Sequence, residues 1–82
     1  MPTILRSNGL RLSFYSRETG QPPHVDIDRA STTAKVWLEP IALASNAGFP
    51  ARELPDVRWV VRTNRLLLLK AWHDVFDPHN KS

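Results

Sequence analysis

Apolar and polar residues alternate through the first half of the chain, and the period then changes. Leu10, Leu12 and Phe14 are interleaved with Arg11, Ser13 and Tyr15, and Val25 and Ile27 with His24, Asp26 and Asp28. Ala34, Val36 and Leu38 are separated by Lys35 and Trp37. A period of two places one strand face against a core and the other toward water. Further on, Leu54, Val57, Val60, Val61, Leu67, Leu68, Ala71, Trp72 and Val75 recur at the spacing of one helix face. The pattern predicts a single α+β domain over 1–82, a short antiparallel sheet packed by one long C-terminal helix. Residues 1–48 form the β-rich part, 50–77 the helix and 78–82 a tail.

Turn chemistry sets the boundaries. Asn8-Gly9 between Thr3–Ser7 and Leu10–Ser16 is a hairpin signal, because both turn positions need positive φ. Glu18 to Pro23 reads as a loop, Arg29–Thr33 as a polar connection, Ile41–Ala44 as a short edge strand after Pro40, and Asn46–Gly48 as a turn. Pro50 and Pro55 bracket the helix start, since proline is tolerated in the first turn, and Asp77-Pro78 ends the helix. Asn64 falls on the core face and needs a hydrogen bond there.

Register follows from the requirement that facing residues share a face. It sets Leu5 opposite Leu12, Arg6 opposite Arg11, Asp26 opposite Lys35 and His24 opposite Trp37. The face away from the helix then carries Arg6, Arg11, Ser13, Tyr15, His24, Asp26, Lys35 and Trp37. Like charges directly opposed across strands are destabilising, so Arg6 and Arg11 form a candidate anion or nucleic-acid site, unless both are simply splayed into solvent. Tyr15, His24, Asp26 and Lys35 form a candidate catalytic group of the metal-free ribonuclease kind, with a base, an acid and a cation over a phosphate. Asp26 facing Lys35 is also what a plain cross-strand ion pair looks like. No third ligand stands at a metal-binding spacing, and neither a metal nor a cofactor is expected.

On the helix, Trp59, Leu66 and Leu69 lie off the core face, beside a basic flank of Arg58, Arg62 and Arg65. Grouped exposed apolar residues mark contact surfaces, and Trp and Arg are common interface anchors. These six residues form a candidate partner interface, for a cognate protein or a second copy of the chain.

Composition narrows the setting. Eighty-two residues suffice for one domain. There is no cysteine, hence no disulfide framework. No apolar run reaches the roughly 18–20 residues of a membrane span, and Met1–Arg6 lacks the apolar region of a signal peptide, so a cytoplasmic protein is expected. The net charge of +3, dominated by arginine, suits RNA or an acidic protein partner alike.

The chain resembles a family of small bacterial proteins, domain-of-unknown-function family four-one-six-zero. The residues that carry the resemblance are Met1-Pro2-Thr3-Ile4, Phe14-Tyr15-Ser16, Pro22-Pro23-His24-Val25, Ala34-Lys35-Val36-Trp37-Leu38-Glu39-Pro40, Leu43-Ala44, Gly48-Phe49, Ala51-Arg52-Glu53-Leu54, Asn64-Arg65 and Ala71-Trp72-His73. The resemblance implies a gene pair of the toxin–antitoxin type and a tight complex with a cognate small protein encoded nearby. It also marks three departures. Asp26 stands where the family usually has a second histidine, Pro50 where a capping serine is common, and Trp59 and Leu66 where charged residues are usual. The expected function is a component of a toxin–antitoxin-like module, whether the toxin or its partner. The alternative is an RNA-directed nuclease or a non-catalytic nucleic-acid-binding regulator using the open sheet face.

Overall fold

Asn8 and Gly9 take φ values of 54° and 76°, the primed-turn geometry whose twist matches that of paired strands. They join β1 (Thr3–Ser7) to β2 (Leu10–Ser13) with Arg6 opposite Arg11 and Leu5 opposite Leu12. The computed structural model describes residues 3–14 and 21–76. Three more strands follow, β3 (His24–Arg29), β4 (Thr32–Leu38) and β5 (Ile41–Ala47). All five pair antiparallel in the order β1-β2-β3-β4-β5. The register between β3 and β4 sets His24 against Trp37 and Asp26 against Lys35, as the alternation predicts.

Three strands run longer than expected, β3 by Arg29 alone. β4 begins at Thr32, because Ala30 adopts φ 54° and closes a two-residue turn that leaves Arg29 and Thr32 paired. β5 continues through Ala47, so Asn46 belongs to the strand. The Asn46 side chain then bonds the Phe49 backbone twice, Nδ2 donating to the Phe49 carbonyl at 2.9 Å and Oδ1 accepting from its N–H at 3.0 Å. The turn expected over Asn46–Gly48 is displaced by about one residue into this closure.

Pro50 precedes a 3-10 turn, Ala51–Glu53, and Pro55 falls within the first turn of α1 (Leu54–Thr63), where a missing N–H has no cost. Arg29 holds this start in place. One guanidinium nitrogen meets Glu53 at 2.8 Å and another donates to the Asn8 carbonyl at 2.9 Å.

The single long helix is corrected to two, α1 and α2 (Arg65–Phe76), with Asn64 between them. Asn64 leaves helical geometry at φ −107°, ψ 17°. Its Nδ2 donates to the Val60 carbonyl at 2.8 Å, the same carbonyl that its backbone N–H uses at 3.1 Å. Side-chain competition for the i−4 carbonyl bends helices. The bend lets Arg65 Nε donate to the Leu38 carbonyl at the end of β4, 3.1 Å away. Drawing that flank toward the sheet also rotates the apolar stripe. Leu69, one turn beyond Arg65, packs partly against the core, while Leu67, expected inward, is 53% exposed.

Both helices cover one sheet face. The core joins Leu10, Leu12, Phe14, Val25, Ile27, Ala34, Val36 and Leu38 from the strands and their ends to Phe49, Val57, Val60, Val61, Leu68 and Trp72. No helix among the described residues is long and apolar enough to cross a membrane.

Candidate functional site

On the sheet face opposite the helices, alternation places Arg6, Arg11, Ser13, Asp26, Lys35 and Trp37. Arg6 and Arg11 face one another and are both exposed. Arg11 also reaches across to β3 and pairs with Asp28 at 2.8 Å. The other Asp28 oxygen accepts from the Thr33 hydroxyl at 2.7 Å. Asp28 is outside the candidate site because the alternation ends at it, with the polar connection expected from Arg29. Its position opposite Arg11 follows only from the β2–β3 register, for which the intervening turn-rich loop is too long to fix one turn type. Partial burial pushes the Asp28 carboxyl up, but the Arg11 hydrogen bond, the Thr33 hydroxyl and the Arg11 charge outweigh it and hold it below 3.8.

That depression has a testable consequence. A carboxylate with a lowered folded-state pKa contributes stability that is present above its unfolded value and is lost as pH falls through the folded one. Arg11 is substantially exposed, so the pair is expected to contribute about 0.5–1 kcal/mol at neutral pH. Urea unfolding of wild type and Asp28→Asn should differ by that amount at pH 7. The two should converge as pH falls below 3.8.

The candidate catalytic group has a different setting from the one the alternation implies. His24 and Asp26 are buried, with His24 at 0% exposure, and Ser13 is buried beside them. The expectation that Ser13, His24 and Asp26 stand on an open face is therefore corrected. Its ring lies 5.6 Å from Trp37, edge to face, and 4.8 Å from Trp72 of α2. Its Nδ1 is 3.0 Å from the Pro22 carbonyl. A carbonyl only accepts, so Nδ1 carries the proton. The next backbone group continues the pairing, with the Leu38 N–H donating to the Pro23 carbonyl at 2.9 Å. A histidine bonded to the backbone and wedged between two indoles is built into the packing. Tyr15 lies outside the described residues. Lys35 stands over the half-buried Trp37, its Nζ 5.9 Å from the ring centroid, and contacts Gln21 Oε1 at 3.5 Å.

The second surface lies on the outside of the helices. Trp59 is 54% exposed and Leu66 77%. They share a stripe with Thr63 and Lys70, at alternating steps of four and three residues. Arg58 and Arg62 are exposed alongside them. Two of the six interface candidates are placed differently. Arg65 is anchored to Leu38 and stands 3.6 Å from Glu39, and Leu69 turns toward the core. Leu67, which periodicity assigned to the core, joins the exposed group. Only the bend at Asn64 could have revealed the exchange, since a straight helix places Leu67 and Leu69 about equally far from the core direction.

The sequence model of a domain of unknown function (DUF4160) matches residues 9–73 of the 82. No curated protein and no solved structure matches the chain.

Proposed function

The chain belongs to the DUF4160 family, and from that premise we propose that it is one component of a two-protein module of the toxin–antitoxin type, acting through a tight complex with a cognate small protein. The observation that carries the proposal is the outer helical face. Trp59, Leu66 and Leu67 are the large apolar residues left exposed among the described positions, and all three lie on α1 and α2. Covering a large apolar side chain contributes roughly 1.5–3 kcal/mol, a substantial share of a small domain's stability. Trp59 supplies the kind of aromatic anchor on which interface energies concentrate. Around it Arg58, Arg62 and Lys70 outnumber Asp56 and Asp74, a net positive rim that favours an acidic partner and accelerates encounter.

Trp59→Glu is expected to weaken capture of the protein encoded by the neighbouring gene by more than about 2 kcal/mol, the range of an anchor residue. Its unfolding midpoint should stay near that of wild type, because the side chain is already half in water. Co-purification followed by calorimetric titration measures the first, and denaturant unfolding the second. Wild-type affinity in the Trp59→Glu variant would remove this face from the complex.

A further inference from the structure

The two edges of the sheet are guarded very differently. β1 is short, carries the exposed Arg6 and has an irregularity between Thr3 and Leu5. β5 spans Ile41–Ala47 with no charged residue and no proline. Strand edges that stay monomeric usually carry lysine, proline or inward charges, because unpaired backbone groups template another strand. The one such device in β5 is a bulge where Lys35 pairs with Ser45 and Val36 with Leu43, leaving Ala44 as the extra residue. No strand among the described residues pairs with the far side of β5. Ile41 and Leu43 are only half-buried, so the helices leave part of this border uncovered.

We infer that two copies of this chain pair antiparallel along the free edge of β5, joining their five-stranded sheets into one. Charge selects this occupant over the alternatives. The exposed helical face carries Arg58, Arg62 and Lys70 against Asp56 and Asp74, a net positive charge that disfavours its own copy, whereas β5 is neutral and self-pairing meets no like-charge penalty. An antiparallel arrangement brings the start of one β5 beside the end of the other. Glu39, exposed just before Ile41 and 3.6 Å from Arg65 of its own chain, then also approaches the other copy's 3-10 turn, where Arg52 is exposed. Symmetry makes this opposite-charge approach twice. The side chains along the junction, Ala42, Ala44, Ser45 and Ala47, are small and let the backbones meet.

The test is light scattering with size exclusion on the full chain over a concentration series from micromolar to millimolar. Wild type should pass from one chain mass to two. Ala42→Lys with Ser45→Lys, both at exposed positions that tolerate charge, should raise the dissociation constant by about ten-fold or more while leaving the circular dichroism spectrum unchanged. Glu39→Arg should weaken the dimer, and adding Arg52→Glu should restore it, while the lost Glu39–Arg65 contact within each chain is common to both variants. Trp59→Glu should dimerise as wild type does, which separates this edge from the proposed partner face. A wild type that stays monomeric throughout overturns the inference. So does a dimer indifferent to the lysine pair, or one that Trp59→Glu dissolves. Hydrogen exchange in β5 slowed only by the cognate protein would likewise overturn it, assigning the edge to that protein instead.

Discussion

Trp72→Ala is expected to destabilise the fold by about 3–5 kcal/mol, the range for removing a large aromatic side chain from a packed interior. Trp72 is 5% exposed. It meets Phe14 at 5.4 Å between ring centroids with planes at 84°, and His24 at 4.8 Å. The edge-on contact with Phe14 contributes beyond area alone. Truncation would open a void between α2 and the ends of β2 and β3, and would expose His24, whose own neighbours are two indoles. Leu67→Ala, on the same helix but half exposed, should stay within about 0.5 kcal/mol of wild type. Denaturant midpoints for the two variants check the contrast directly. A cost below about 1 kcal/mol for Trp72→Ala would show that the indole is not part of the cooperative core.

Gly48→Ala is expected to cost about 3 kcal/mol, from two causes that can be separated. Gly48 sits at φ 109°, a conformation that L side chains rarely adopt, and such backbone strain costs about 1–3 kcal/mol. A Cβ at this position would also lie 2.9 Å from Thr32 Cγ2 and 3.3 Å from Thr32 Cβ, and overpacking of this kind adds about 1–3 kcal/mol. Thr32→Ser removes the closer methyl while keeping the hydroxyl that donates to the Arg29 carbonyl at 2.6 Å. Paired with Gly48→Ala, it should recover most of the steric part, leaving the contact with the Thr32 Cβ and the dihedral part. Full recovery would mean that the backbone at Gly48 is not strained for alanine. No recovery would mean that the chain shifts away from Thr32 at negligible cost.

The outer helical face shows how far periodicity reaches. Trp59 and Leu66 are exposed, where a straight helix puts them. Leu67 and Leu69 exchange roles because Asn64 takes the Val60 carbonyl and Arg65 is drawn to Leu38. Neither contact has a signature in local spacing, since a polar residue on an apolar face says only that it must be satisfied and not by what. The candidate sheet site divides in the same way. Turn chemistry and alternation place Arg6 against Arg11 and Asp26 against Lys35, and the structure has both pairings. The partner that Arg11 reaches is Asp28, two strands from Arg6, and His24 is wedged under Trp72.

What the amino-acid sequence determined by itself is what near neighbours decide. Asn8-Gly9 imposes the first hairpin through its own positive φ, alternation assigns strand faces, and Pro50 and Pro55 confine the helix start to one turn. These depend on steric preferences within a few residues, and so they are legible without a partner in space. Tertiary structure alone decided the features made between distant positions. Arg65 finds a carbonyl 27 residues away, Arg11 a carboxylate 17 away and Arg29 a carboxylate 24 away. Each depends on where two elements come to rest after the core has packed, and the free energy of such a contact is the same whichever compatible residue happens to arrive. That is why the bend at Asn64, the burial of His24 and the exposure of Leu67 appear only once the helices lie on the sheet.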